Sequence, residues 1–206
     1  MAFPSRVALS TRNPGKVREI LRVCADWPVE WVTFDRASGQ DVAAWPNIPE
    51  TGATYLDNAL LKARALAEEM SVAAVADDSG IEVAALDGGP GPRSARFAGE
   101  DATEEQNLQL LIARMRPVPA QERMAQYRCV AACSWPDGRE RWAEATCQGR
   151  LILEPRGARG FGYDPIFVPD GSAKTMAELA DGEKDAISHR GKAFRALRAI
   201  LEEDAE

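Results

Sequence analysis

The stretch RVALSTRNPGKVREILRVC, residues 6–24, combines the two kinds of element from which this fold is built. Its first part, Arg6 to Thr11, is a short apolar run that predicts a buried strand. Asn13 and Pro14 follow, and these residue types favour the N-cap and the first position of a helix. One apolar helical face then recurs at the spacing i, i+3, i+4 and i+7, formed by Val17, Ile20, Leu21 and Cys24. The stretch therefore predicts a strand that leads directly into an amphipathic helix.

The rest of the chain continues this mixture of strands and helices. Helices are predicted from Thr54 with capping partner Asp57, from Thr103 to about Met115 with capping partner Gln106, and from about Gly191 to Glu203. Strands are predicted at Val29–Phe34, at Val72–Ala76 and at Ile81–Ala85, the last two separated by a turn at Asp77–Gly80. A hairpin is predicted for Arg123–Trp135 and Arg139–Gln148, and loops for residues 36–53, 87–99 and 157–164. The fold class is therefore α/β.

Composition and charge narrow the classes of protein to which the chain can belong. The 206 residues are 45% hydrophobic and 28% charged, as expected for one globular domain. No apolar run is long enough for a signal peptide or a membrane helix, so a cytoplasmic location is expected, with no membrane partner. The net charge of −7 disfavours a nucleic-acid-binding module, which usually presents a basic face.

The four cysteines are predicted to be reduced thiols. They form no CxxC pair and have no histidine beside them, so neither a zinc site nor a disulfide is predicted. Their positions are Cys24, Cys129, Cys133 and Cys147.

The junction of the first strand and helix is a candidate phosphate-binding segment. A helix N-terminus offers backbone N–H groups and a partial positive charge, both of which suit a phosphate. Arg12 and Lys16 add cationic side chains, and Thr11 and Asn13 add hydrogen-bonding groups. The segment is not a P-loop, because it lacks the GxxxxGK[ST] pattern. The alternative is an ordinary capped helix with basic residues on its surface.

Acidic residues form the second candidate cluster. Asp77 and Asp78 directly follow an apolar strand, where carboxylates are costly unless they are solvated, paired or bound to a metal. Together with Glu50 they supply the carboxylate oxygens that Mg²⁺ prefers, alongside phosphate and water oxygens. The alternative is an Asp-rich turn held by local hydrogen bonds.

Two further polar clusters lie nearer the C-terminus. In the segment Phe161–Pro165 (FGYDP), glycine allows close approach of a ligand, and Phe161 or Tyr163 could stack on a base. The alternative there is a tight turn with aromatic packing. In Glu183–Gly191 (EKDAISHRG), His189 is the only histidine of the chain, and with Arg190 it offers donors for a keto purine. A structural histidine that caps or packs the last helix is the alternative.

Together these segments resemble the inosine triphosphate pyrophosphatase family, the dITP/XTP diphosphatases. The resemblance runs from about Val7 to Ala199 and rests on STRNPGK, ADDSGIEV with GPGPRSARFAG, GFGYDPIF and EKDAISHRG, in that order. It implies one domain over residues 1–206, with an elongated two-lobed fold, a central mixed sheet flanked by helices, and a nucleotide cleft between the lobes. It also implies a homodimer that uses Mg²⁺ to convert ITP, dITP or XTP into the monophosphate and pyrophosphate. Such an enzyme cleanses the nucleotide pool and keeps deaminated purines out of DNA and RNA.

The resemblance also assigns roles to individual residues. Asp78 is similar to the family's proton acceptor and metal ligand, and Glu50 to its second metal carboxylate. The substrate-binding residues that the resemblance implies are Thr11, Arg12, Asn13, Pro14, Gly15, Lys16, Ser79, Phe161, Gly162, Tyr163, Asp164, Lys184, His189 and Arg190. Many relatives carry Gly or Asn at the position of Arg12. Two alternatives therefore stay open: the side chain of Arg12 contacts phosphate, or only its backbone does.

Three other functions compete with this one. A pyrophosphatase for other modified nucleotides, such as methylated pyrimidine triphosphates, would share the fold and the metal. A nucleotide sensor without catalysis could lose the metal carboxylates, whereas Glu50, Asp78 and Lys16 are all present. A nucleic-acid-binding module is disfavoured by the acidic charge.

Overall fold

The computed structural model describes residues 3–34, 45 and 48–204. Its strands are β1 Arg6–Leu9, β2 Glu30–Val32, β3 Ala73–Val83, β4 Met124–Ser134, β5 Glu140–Leu151 and β6 Phe167–Pro169. Its α-helices are α1 Pro14–Val23, α2 Tyr55–Met70, α3 Glu104–Met115, α4 Asp181–Ile187 and α5 His189–Glu203. Short 3-10 turns lie at Ala84–Leu86, Gly91–Arg96, Ala120–Glu122 and Asp164–Ile166. Most of the predicted loop 36–53 lies outside the described residues.

The strands in the described ranges form one mixed sheet in the order β2-β1-β3-β4-β5-β6. Strand β1 pairs in parallel with β2 and with β3, whereas β5 and β6 pair in antiparallel. The predicted hairpin is confirmed, because backbone bonds join Trp135 to Arg139 at one end of β4 and β5, and Arg123 to Leu151 at the other. The mixed sheet and its helices confirm the α/β class.

Local sequence signals account for where the helices begin. The Asn13 side chain accepts a hydrogen bond from the amide of Lys16, and Pro14 is the first residue of α1. Capping boxes open α2 at Thr54 and α3 at Thr103, as predicted. The last helix begins two residues earlier than predicted, at His189, and the short α4 and β6 were not predicted.

The predicted turn at Asp77–Gly80 is wrong. Residues Ala73–Val83 form one continuous strand, and Asp77 and Asp78 are buried near its middle, not at its end. Successive side chains of a strand point to opposite faces of the sheet, so the two carboxylates lie on opposite faces. The strand continues because partners distant in the sequence neutralise both carboxylates, which removes the cost of burying them.

The chain divides into two compact units. The first contains Met1–Asp78, Cys129–Ala145 and Arg190–Glu206, and the second contains Ser79–Arg128 and Thr146–His189. The largest apolar core of the first unit packs α1 and α5 on β1, β3 and β4, with Ile20 and Phe194 fully buried. The core of the second unit includes Leu111, Tyr127 and Phe167. No described helix has the length and hydropathy needed to cross a bilayer.

All four cysteines are buried, and none of them forms a disulfide. Burial raises the pKa of the Cys133 thiol to about 12, although the charge of Arg139 opposes this shift. The pKa values of Cys24 and Cys129 are also raised by burial. These cysteines therefore act as apolar core residues, in agreement with the prediction of reduced thiols.

Candidate functional site

The segment Thr11–Lys16 forms the turn between β1 and α1. Oδ1 of Asn13 accepts from the Lys16 amide at 3.1 Å, and Oγ1 of Thr11 accepts from the Asn13 amide at 3.2 Å. Gly15 is buried, whereas 17% of the Lys16 side-chain surface is exposed to solvent. These contacts hold the loop against the helix N-terminus, where a phosphate would be favoured by the helix dipole.

The side chain of Arg12 is engaged away from this turn. Its Nη2 donates to the carbonyl of Trp45 at 2.7 Å, and its Cζ lies 5.0 Å from the centre of the Phe34 ring. With the guanidinium held in this way, the backbone of Arg12 is the part of the residue that remains on the turn. The structure thus favours backbone contact over side-chain contact at this position.

On one face of β3, Asp77 pairs with two positively charged side chains. Its Oδ2 lies 3.1 Å from Lys16 Nζ, and it accepts from Nε and Nη2 of Arg190 at 3.2 and 3.1 Å. Burial alone would raise the pKa of Asp77, but the charges of Lys16, Arg190 and Lys62 outweigh it and hold the pKa well below the usual range. Asp77 is therefore ionised, and it fixes the ammonium group of Lys16 beside the helix N-terminus.

Arg190 is fully enclosed in this cluster. Its Nη1 forms an ion pair with Glu19 of α1, and its side chain is only 2% exposed. The two carboxylates raise the pKa of Arg190 against the effect of burial, so the guanidinium stays charged. The prediction that Arg190 offers donors to the purine base does not match this arrangement, in which Asp77 and Glu19 accept from three of its nitrogens.

On the opposite face of β3, Asp78 meets helix α2. Its Oδ1 lies 3.1 Å from Lys62 Nζ, and its Oδ2 accepts from Asn58 Nδ2 at 3.2 Å. The same Nζ lies 2.7 Å from Oε1 of Glu50, so one ammonium group joins the two carboxylates. Burial and the charge of Glu50 raise the pKa of Asp78, and the charges of Lys62 and Lys16 oppose this shift. The group Glu50, Lys62 and Asp78 is called the α2 cluster below.

The α2 cluster has a donor set that fits a magnesium ion. Glu50 and Asp78 each direct a carboxylate oxygen at the same nitrogen, so one positively charged group contacts both carboxylates. Mg²⁺ commonly uses one or two protein carboxylates and completes its shell with phosphate and water oxygens. Within the described ranges no group of three His, Cys, Asp or Glu residues could hold a metal, so any ion here would need such additional ligands.

A further polar cluster lies within the second unit, around Asp164. Asp164 accepts from the Phe161 amide at 2.9 Å and forms a buried ion pair with Lys184 of α4. The Lys184 ammonium also lies 5.3 Å from the centre of the Phe161 ring. The other Asp164 oxygen accepts from the Tyr127 hydroxyl at 3.2 Å. Tyr127 in turn stacks on His189, with ring centres 4.5 Å apart and planes 7° from parallel.

The glycine-rich loop 157–164 adopts a conformation that depends on glycine. At Gly160, where φ is +73°, a Cβ would overlap Oδ2 of Asp164. The Gly162 amide donates to Glu104 of α3 at 3.1 Å. Tyr163 is buried, and its hydroxyl donates to the Ser94 carbonyl at 2.7 Å. Phe161 is half-buried whereas Tyr163 is buried, so Phe161 leaves more surface available for stacking on a base.

The structure groups most of the predicted residues into three clusters, one around Asp77, one around Asp78 and one around Asp164, and it adds residues that were not predicted. Lys62 and Asn58 were missed because both lie inside the predicted helix and outside the four motifs. Their spacing of i and i+4 places them together beside the buried Ala59 and Ala63, which was a usable signal. Glu19 and Tyr127 had no comparable signal, because their partners are distant in the sequence.

Fold and site together define an α/β protein with a buried lysine–carboxylate cluster. The capped N-terminus of its first helix directly follows a strand of the parallel part of the sheet. The sequence profile of the Ham1 family matches residues 7–200, and the chain belongs to that family. A Streptomyces coelicolor protein named dITP/XTP pyrophosphatase is 47% identical, over 97% of this chain and 98% of its own. The HAM1 protein structure from Coxiella burnetii superimposes with a TM-score of 0.83 at 34% identity, over 97% of this chain and 99% of its own. The crystal structure of a nucleoside-triphosphatase, or dITP/XTP pyrophosphatase, from Mycobacterium abscessus superimposes with a TM-score of 0.71 at 41% identity. The match covers 95% of this chain and 98% of its own.

Proposed function

We propose that this protein hydrolyses the deaminated purine nucleotides ITP, dITP and XTP to the monophosphate and pyrophosphate. The observation that carries the proposal is the α2 cluster: a buried carboxylate, Asp78, is held by Asn58 and Lys62 and shares that lysine with Glu50. Relatives named dITP/XTP pyrophosphatase match the chain over nearly its whole length, which supports this substrate class.

Glu50 and Asp78 would hold the Mg²⁺ ion. Bound there, the ion would neutralise the charge of the phosphates, which is a main requirement of phosphoryl transfer. Lys62 already lies between the two carboxylates, so its ammonium group would remain next to the bound phosphates as a second positive charge.

The reaction would take place at the α-phosphorus. Asp78 orients a water molecule for in-line attack and accepts its proton, while Asn58 fixes the second oxygen of the carboxylate. The new bond forms between the water oxygen and the α-phosphorus. The bond from that phosphorus to the bridging oxygen breaks, and pyrophosphate leaves.

The outer phosphates would lie against the turn Thr11–Lys16. Lys16 supplies the cation and Asp77 holds it in place, while Arg12 and Gly15 would supply backbone amides at the start of α1. Ser79, the next residue after Asp78 in β3, would add a hydroxyl contact.

The base would be recognised by residues of the second unit. Phe161 offers a face for stacking, and Lys184, Asp164 and Gly162 shape the loop around it. His189 offers a donor for the C6 keto oxygen of hypoxanthine or xanthine, a position where adenine carries an amino donor. Arg190 takes a different role from the one predicted, because it holds Asp77 and through it Lys16.

The decisive experiment is pyrophosphate release from a panel of nucleoside triphosphates, with Mg²⁺ and with EDTA. We expect release from ITP, dITP and XTP, with little from ATP, GTP, CTP or UTP, and none in EDTA. Preference for a methylated pyrimidine triphosphate would favour the other pyrophosphatase, and tight binding without release would favour a sensor. The homodimer implied by the resemblance and the cytoplasmic location expected from the sequence remain predictions, and light scattering of the purified protein tests the homodimer.

A further inference from the structure

Tyr127 contacts two of the residues proposed to read the base, although no sequence motif includes it. It lies in β4, is buried, and belongs to the core of the second unit. Its ring is stacked on the His189 imidazole, with centres 4.5 Å apart and planes 7° from parallel. Its hydroxyl donates to Oδ1 of Asp164 at 3.2 Å.

These contacts restrict the orientation of both partners. A nearly parallel stack fixes the plane of the imidazole and so confines its N–H groups to that plane. The hydroxyl occupies one oxygen of Asp164, while the other oxygen accepts from the Phe161 amide and pairs with Lys184. One side chain of β4 thus connects the glycine-rich loop, helix α4 and the first residue of α5.

We infer that Tyr127 is a positioning residue for purine recognition, which orients the His189 imidazole by stacking and the Asp164 carboxylate by hydrogen bonding. This inference rests on the proposed function, because it assumes that His189 and the loop 157–164 bind the base. The competing explanation is that Tyr127 only fills the core, where it also packs on Phe167 at 4.8 Å between ring centres.

Two variants separate the ring from the hydroxyl. Tyr127→Phe keeps the stack and removes the hydrogen bond, whereas Tyr127→Leu removes both. Leu111→Ala is the matched control, because Leu111 is fully buried in the same core and its apolar side chain makes no hydrogen bond. Melting temperature and kcat/KM for ITP and ATP are measured on all three and on the wild type.

We expect Tyr127→Leu to lower the ratio of kcat/KM for ITP to kcat/KM for ATP by about two- to tenfold. This is the range expected when an aromatic stack is lost. Tyr127→Phe should raise KM for ITP by about two- to tenfold, the range expected when an ordinary hydrogen bond is lost, and should affect kcat less. Leu111→Ala should lower the melting temperature and leave the ratio unchanged.

A direct measurement of the stack is also possible, because His189 is the only histidine among the 206 residues. In tag-free protein, its Cε1 proton gives a single imidazole resonance that the ring current of Tyr127 displaces upfield. That resonance should move downfield in Tyr127→Leu and stay near its wild-type position in Tyr127→Phe and Leu111→Ala.

An unchanged ITP/ATP ratio in a folded Tyr127→Leu protein would overturn the inference, as would an unchanged His189 resonance. If wild-type protein releases no pyrophosphate from ITP, the proposed function fails instead, and the resonance still reports whether Tyr127 holds the imidazole.

Discussion

The ammonium group of Lys62 lies 3.1 Å from Oδ1 of Asp78. Asp78 belongs to the continuous strand β3, where the sequence predicted two strands separated by a turn. This contact and the hydrogen bond from Asn58 make it possible for a carboxylate to be buried in the middle of β3. The same contact gives Asp78 a fixed orientation. The first prediction follows from that geometry.

Asp78→Asn should reduce ITP turnover by several orders of magnitude and leave the protein folded. The amide cannot take up the proton of the attacking water, and it is a poorer metal ligand than a carboxylate. Pyrophosphate release and circular dichroism measure the two effects. The exposed Asp101→Asn is the control and should have wild-type turnover. Retained turnover in a folded Asp78→Asn protein would remove the catalytic role of this residue.

Lys16→Ala should weaken binding of the triphosphate far more than binding of the monophosphate. A charge-assisted contact to phosphate contributes about 1.5–3 kcal/mol, or roughly ten- to a hundredfold in affinity. The measurement compares KM for ITP with the inhibition constant of IMP. Arg18→Ala, at an exposed position of the same helix, is the control and should change neither. Equal losses for ITP and IMP would place Lys16 away from the outer phosphates.

His189→Ala should reduce kcat/KM for ITP more than for ATP. A donor directed at O6 helps a keto purine only, and a site built on such a bond can discriminate by about 10⁴-fold. His189 is buried against Tyr127, so some loss of stability is also expected. The melting temperature is therefore measured on the same variant, with the exposed Lys192→Ala as control. A lower melting temperature with an unchanged ITP/ATP ratio would assign His189 a structural role.

Arg190→Ala should destabilise the protein strongly, unlike a substitution at a residue that only contacts substrate. The change leaves the buried carboxylates of Asp77 and Glu19 without their shared cation, and breaking a buried pair costs about 3–5 kcal/mol. Urea unfolding measures the effect. The exposed Arg195→Ala of the same helix is expected to stay within about 0.5 kcal/mol of wild type. A stable Arg190→Ala protein with altered base choice would restore the predicted contact to the base.

The sequence by itself determined the features that depend on residues close together in the chain. The strand that leads into α1, the Asn13 cap and the two capping boxes all rest on contacts within four residues. The four motifs likewise identified the family, which the match to residues 7–200 confirms. The roles of individual residues in the site remain predictions that the variants above test.

Only the tertiary structure decided how the acidic pair is used. A local pattern of Asp-Asp-Ser-Gly favours a turn, because nothing nearby in the chain neutralises two carboxylates. The neutralising groups come from residues far away in sequence: Lys16 and Arg190 on one face of β3, and Lys62 on the other. Since alternate residues of a strand face opposite sides, pairing across the fold separates Asp77, which holds Lys16, from Asp78, which faces Glu50 and Lys62. These partners lie outside any short window of sequence, so only the folded structure shows that the two neighbouring aspartates have different partners.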